Sequence, residues 1–295
     1  SGAEAVETAI KAARKWGYQV KGIKKNKAEI IVCADNFHGR TTTIVGFSTE
    51  DQYKDGFGPF TPGFKVVSFG DAKALEAAIN KNPCAFIVEP VQGEAGINIP
   101  PRGYLKKVEK LCKANNVLFI VDEIQSGLGR TGRMFAHQWD KVRPDGLIVG
   151  KALSGGFYPV SAFLADNEVM DVFNPGDHGS TFGGNPLGAA VAREAVQVII
   201  DEKLVEKSEK LGDYFMERLK AIKAKSIKKV RGRGLFIGVV LDRPARVYCE
   251  ALMAEGLLCK ETHENVIRFA PPLVVTKKDL NWALRKIEKV FKKLG

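Results

Sequence analysis

Hydrophobic positions near the start of the chain fall at helical spacing. Val6, Ala9, Ile10, Ala13 and Trp16 share one stripe, which predicts a helix over residues 3–16 closed by Gly17. Short apolar runs follow at 30–34, 66–69, 85–88, 117–121 and 147–149 and at Ala162–Ala165. Several are apolar throughout rather than alternating, as strands buried on both faces are. Helical patterns at 72–80 and Tyr104–Ala114 separate some of them. Strand and helix in alternation predict an α/β domain whose mostly parallel sheet is covered by helices on both sides.

The pattern changes after Pro186. A helical stretch over 187–222, broken near Asp201, is followed by a strand at 234–241, a helix at 245–255 and a strand at 266–270. The last helix opens with a Thr276-x-x-Asp279 capping pattern and carries a stripe of Leu280, Ala283, Leu284, Ile287, Phe291 and Leu294. The expected organisation is a large domain over 1–202 and a smaller C-terminal α+β domain over 203–295.

Composition narrows the class. The 295 residues are 45% hydrophobic and 27% charged, which excludes collagenous, low-complexity and wholly disordered chains. No apolar run approaches the ~20 residues of a membrane-spanning helix, so no membrane role is expected. Lys and Arg outnumber Asp and Glu by 45 to 34, a net charge of +11. The longest acid-free basic stretch, 218–233, lacks interleaved aromatics and any nucleic-acid-binding signature, so a solvated face is expected rather than a nucleic-acid partner. Five scattered cysteines, never spaced as CxxC, read as reduced thiols of a cytoplasmic protein, with no metal site.

Candidate chemistry concentrates at strand ends. The run 117–121 leads directly into Asp122, and 147–149 leads through Gly150 into Lys151. Ligands of open parallel sheets bind at the carboxyl ends of strands. A desolvated Lys is a nucleophile towards carbonyls, and an Asp in that position can keep a pyridinium nitrogen protonated. The same two residues also fit ordinary strand-end charges meeting water. Ser1-Gly2-Ala3 offers free N–H groups at a helix start, and 178–185 is a second Gly-rich, hydroxyl-bearing loop before a helix; both suit a phosphate. Phe37 is placed either to stack on a ring or to pack in the core. Arg40 and Arg268 lie near strand ends and can grip carboxylates through paired hydrogen bonds.

Three segments then carry a specific resemblance. Val121-Asp122-Glu123-Ile124-Gln125-Ser126-Gly127-Leu128-Gly129-Arg130-Thr131-Gly132, Gly150-Lys151-Ala152-Leu153-Ser154-Gly155-Gly156 and Gly179-Ser180-Thr181-Phe182-Gly183-Gly184-Asn185-Pro186 resemble the signature of class III (ω-amino) aminotransferases. Residues 56–64 (GFGPFTPGF), 158–162 (YPVSA) and 267–273 (IRFAPPL) are most similar to the ornithine δ-aminotransferase branch. The resemblance spans the whole chain and implies a fold type I transferase dependent on pyridoxal 5'-phosphate.

It also implies roles. Lys151 would hold the cofactor covalently and shuttle the proton, and Asp122 would pair with the ring nitrogen. Gln125 would sit near the ring hydroxyl, Phe37 would stack on the ring, and Gly2 and Ala3 would bind the phosphate. Thr181, with Ser180 nearby, would reach the phosphate in a neighbouring subunit, implying a homodimer with shared active sites. Arg40 would hold the α-carboxylate of ornithine, Arg268 that of glutamate or 2-oxoglutarate, and Glu94 would pair with Arg268 when ornithine is bound. Glu89 fits the motif without an assigned role.

The implied reaction passes the δ-amine of ornithine to 2-oxoglutarate. His38 is usual in acetylornithine relatives. The alternatives are another class III ω-aminotransferase acting on acetylornithine, 4-aminobutyrate or a diamine, and an inactive truncated fragment that retains the fold. Relative to the family pattern the chain opens inside the phosphate-binding segment, and the expectation is that an N-terminal segment carrying dimer contacts is missing from it.

Overall fold

The computed structural model describes residues 1–295 and divides into two compact units. The first comprises 1–90, 100–125 and 137–197; the second comprises 91–99, 126–136 and 198–295. The chain therefore passes from one to the other at 90/91, 99/100, 125/126, 136/137 and 197/198.

In the first unit the order is α1 (Gly2–Gln19), β1 (Glu29–Cys33), α2 (Thr42–Gly46), α3 (Asp51–Lys54), β2 (Phe64–Val67), α4 (Ala72–Ala78), β3 (Pro83–Val88), α5 (Tyr104–Ala114), β4 (Leu118–Asp122), β5 (Gly146–Val149), β6 (Ala162–Ala165), α6 (Asn167–Met170) and α7 (Pro186–Asp201), which runs across the last boundary. Short 3-10 turns occupy Ala136–Asp140 and Lys151–Ser154. The six strands form one sheet in the order β2-β1-β3-β4-β5-β6, parallel except for the antiparallel β6. β3 and β4 are buried along their whole length, which is why their sequences do not alternate. One face of the sheet packs on α1 through Val6, Ala9, Ile10, Ala13 and Trp16, and the other packs on α5 through Leu105, Val108 and Cys112. Each fully buried Val, Leu or Ile side chain among these contributes roughly 1.5–3 kcal/mol.

Gly17 does not close α1, which continues to Gln19. A Cβ at Gly17 would lie 2.7 Å from Cys84 Cβ, so the glycine lets helix and β3 approach closely instead of ending the helix.

The second unit continues with α8 (Leu204–Lys220), β7 (Ile227–Arg233), β8 (Phe236–Leu241), α9 (Arg246–Ala254), β9 (Lys260–Thr262), β10 (Val266–Phe269) and α10 (Lys277–Leu294). Its sheet is antiparallel in the order β7-β8-β10-β9. The predicted break near Asp201 falls at Lys203, whose φ of +51° is left-handed and cannot continue a helix. Two strands escape the hydropathy pattern: β7, masked by Lys228, Lys229, Arg231 and Arg233, and the three-residue β9. The basic stretch 218–233 thus runs from the end of α8 through β7, and two of its cations pair with acids, Arg218 with Glu288 and Lys228 with Asp242. Thr276 caps α10 in a reciprocal capping box with Asp279.

All five cysteines are free thiols and four are buried. Burial pushes the thiols of Cys33, Cys84 and Cys112 up to about 12, so they stay protonated and inert. No helix is long and apolar enough to cross a membrane.

Candidate active site

The first unit brings the ends of β4 and β5 together. Asp122 closes β4 in register with Ile148 of β5, and Lys151 follows three residues later. Lys151 is exposed, and its φ of +42° is left-handed, a conformation that costs a non-glycine residue about 1 kcal/mol or more. Ile124 is the hub beneath. A Cβ at Gly2 would come within 2.9 Å of its Cδ1, and one at Gly150 would lie 3.5 Å from its side chain. The start of α1, the residue before Lys151 and the turn after Asp122 therefore converge on one isoleucine.

The Asp122 carboxylate is buried and engaged at both oxygens. The backbone N–H of Ile124 donates to Oδ1 at 3.0 Å, and His38 Nδ1 lies 2.7 Å from Oδ2. His38 is buried as well. Burial opposes charge on its imidazole, but the hydrogen bond and charge of Asp122, with Glu89 behind, hold it above its ordinary value. Glu89, also buried, accepts the backbone N–H of Phe37 at 3.0 Å.

Phe37 meets Tyr53 edge-on with ring centroids 6.0 Å apart. Arg40 stands 4.3 Å over the Tyr53 ring and 5.8 Å over that of Phe37, so aromatic faces hold the guanidinium while no carboxylate contacts it. Gln125 Nε2 is buried with no hydrogen-bond partner. Ser180 and Thr181 lie exposed in the turn before α7 and make no side-chain hydrogen bond. A separate cleft lined by Trp16, Glu109, Lys113, Asn116 and Asp145 includes the first residues of β4, the end opposite Asp122.

The second unit contains its own polar cluster. Arg268 Nη1 donates to Glu94 Oε1 at 2.6 Å, both side chains being 19% exposed. Lys260 Nζ donates to the other oxygen, Oε2, at 3.2 Å, and Thr262 Oγ1 donates to the Glu94 carbonyl. Burial would raise the Glu94 carboxyl, but the two cations outweigh it and hold the group below the usual range.

Of the residues expected from sequence, Gly2 and Asp122 thus meet at Ile124, with Lys151 one residue beyond Gly150 at the same isoleucine; Phe37 and Arg40 share Tyr53, and Glu94 pairs with Arg268. His38, Tyr53, Ile124 and Lys260 were not foreseen as parts of these clusters. A buried acid at a strand end demands a partner, but nothing in one sequence pairs Asp122 with a histidine 84 positions away.

These residues suit a phosphorylated pyridine. Gln125 presents a buried donor without a partner, which fits an anionic ring oxygen. Each Asp122 oxygen has accepted one hydrogen bond and can accept another. The α1 start lies beside Ile124, and the N–H groups of a helix's first turn favour a phosphate.

Comparison with known proteins agrees with this chemistry. An ornithine aminotransferase from Geobacillus sp. (strain WCH70) is 62% identical over 291 residues, covering 99% of this chain and 73% of that protein. An ornithine aminotransferase structure from Toxoplasma gondii, with pyridoxal phosphate partially occupying its active site, superposes with a TM-score of 0.97 at 47% identity, covering 100% of this chain and 71% of that one. Acetylornithine aminotransferase from Elizabethkingia anophelis gives a TM-score of 0.89 at 52% identity, covering 100% and 74%. Enzymes of this kind depend on pyridoxal phosphate, whose ring nitrogen, ring oxygen and phosphate correspond to what Asp122, Gln125 and the α1 start can bind. With residues 1–291 matching the Aminotransferase class-III family throughout, the chain belongs to the class III aminotransferases.

Proposed function

We propose that this chain transfers the δ-amine of ornithine to 2-oxoglutarate, giving glutamate-5-semialdehyde and glutamate. The observation that carries this reading is the Arg268–Glu94 ion pair, at 2.6 Å. An enzyme that takes a terminal amine in one half-reaction and an α-amine dicarboxylate in the other needs a cation that can be hidden and then offered. While Glu94 holds Arg268, the second carboxylate site is closed; when they part, the guanidinium can donate two parallel hydrogen bonds to a carboxylate.

The remaining parts have complementary tasks. Arg40, braced by Tyr53 and free of any acid, would take the α-carboxylate of ornithine. Asp122 would keep the cofactor's ring nitrogen protonated, held in place by His38. Gln125 would donate to the ring oxygen, Phe37 would stack on the ring, and the N–H groups of Gly2 and Ala3 would hold the phosphate. When bound, the pyridinium ring supplies an electron sink for the charge that forms on the substrate carbon. Lys151 would carry the cofactor through Nζ and, once displaced by the substrate amine, use that nitrogen to move the proton from the amine-bearing substrate carbon to the cofactor.

Two further readings belong with this one. Ser180 and Thr181 would reach the phosphate of a second copy's cofactor, making a homodimer with shared sites. Phe157 and Phe182, 82% and 76% exposed on the same unit, support such an apolar contact. The five free thiols suit a reducing, cytoplasmic compartment.

The test is colour. Protein supplied with pyridoxal phosphate should turn yellow, bleach with ornithine and recover with 2-oxoglutarate; a yellow protein that ornithine leaves unchanged would overturn the assignment. A second substrate, acetylornithine, is favoured by the 52% identity to the Elizabethkingia enzyme, and bleaching by acetylornithine alone would select it.

A further inference from the structure

Arg268 and Lys260 are register partners on adjacent antiparallel strands, β10 and β9. Like charges directly opposite one another in a sheet repel. Here both are drawn to a single carboxylate, one to each oxygen of Glu94, and the Thr262 hydroxyl fixes the Glu94 backbone carbonyl from the same strand as Lys260. Arg130 adds a third cation. It donates to the carbonyls of Leu235 and Pro271, and burial together with the charge of Arg268 pushes its guanidinium down to about 10. Two cations thus face the one Glu94 carboxylate, and Arg130 stands close enough to Arg268 to feel its charge.

We propose that Lys260 is a specificity-determining positioning residue that keeps Glu94 charged and held while Arg268 swings to a substrate carboxylate. This inference rests on the ornithine and 2-oxoglutarate reading. Without Lys260, releasing Arg268 would strand a largely buried carboxylate with no cation, a costly state. With Lys260 in place, release exchanges a crowded arrangement of two repelling cations for a simple one-to-one pair. Lys260 therefore favours the open arrangement more than the closed one. Its removal should penalise dicarboxylate substrates and spare those that leave the Arg268–Glu94 pair closed.

The experiment uses the holoenzyme with Lys260→Gln and, as the conservative variant, Lys260→Arg. The ratio of kcat/KM for ornithine to kcat/KM for 2-oxoglutarate should rise about fivefold in Lys260→Gln, the scale of a half-exposed ion pair. The dissociation constant of glutarate, an unreactive five-carbon dicarboxylate, should weaken by a similar factor in calorimetry, and Lys260→Arg should restore both. An unchanged ratio and glutarate affinity, or an equal loss towards both substrates, would overturn the role. If the unsubstituted enzyme fails to react with ornithine, the functional reading falls, while the glutarate measurement still decides the role of Lys260.

Discussion

His38 Nδ1 lies 2.7 Å from Asp122 Oδ2, with both side chains out of water. A buried carboxylate is tolerated where a charged donor faces it, and breaking such a pair costs about 3–5 kcal/mol. The pair also titrates. Because the folded imidazole is held above its ordinary value of 6.5, its contribution is fully present below that pH and is lost as pH rises through the raised value. The deficit of His38→Gln relative to the unsubstituted protein should therefore be largest near pH 6 and shrink in alkaline buffer. Urea midpoints across that range measure it, and a deficit independent of pH would refute the charged pair.

Lys151 sits in a left-handed backbone conformation that glycine adopts without penalty. Lys151→Gly should lower transamination by about 10³-fold or more while leaving thermal stability unchanged or raising it by up to about 1 kcal/mol. Borohydride reduction followed by mass spectrometry should find no cofactor adduct in the variant. A large loss of stability would show that the lysine has a structural role.

Glu94→Ala leaves Arg268 without its carboxylate. Reaction of ornithine through its α-amine should increase relative to reaction through its δ-amine, because the uncovered guanidinium can hold the substrate in the reversed direction. Product analysis separates the two outcomes, and an unchanged ratio would count against Glu94 as the cover.

Gly212 of α8 lies against the β7–β8 turn so closely that a Cβ would fall 2.2 Å from the carbonyl carbon and oxygen of Gly234. Backbone cannot yield as a flexible side chain can. Gly212→Ala should destabilise the protein by about 2–3 kcal/mol, read as a lowered denaturant midpoint. A midpoint matching the unsubstituted protein would mean that the helix can shift away at little cost.

Much of this architecture was legible because burial leaves a periodic trace. The stripe from Val6 to Trp16 marked α1, and the unbroken apolar runs of β3 and β4 announced strands covered on both faces. Asp122 and Lys151 could be singled out because each ends such a run. Elsewhere the trace fails for physical reasons. β7 carries four cations in seven residues, since much of it remains open to water. His38 follows Phe37 in a short polar segment, and its burial depends on a carboxylate far away in the chain. Residues 91–99 and 126–136 look like ordinary loops of the larger domain, because short segments have too few residues to reveal which core they join. Lys260 reads as an exposed charge, and only the register of β9 on β10 sets it opposite Arg268.

The five chain crossings have a consequence for modularity. Phe236 of β8 packs with Val91, Ile97 and Ala136, all supplied by the two early excursions rather than by the C-terminal hundred residues. A gene fragment encoding 198–295 alone would leave this phenylalanine uncovered. The second unit is therefore not a transplantable cassette: it cannot be cut at 197/198, shuffled into another enzyme or expressed by itself without losing part of its interior.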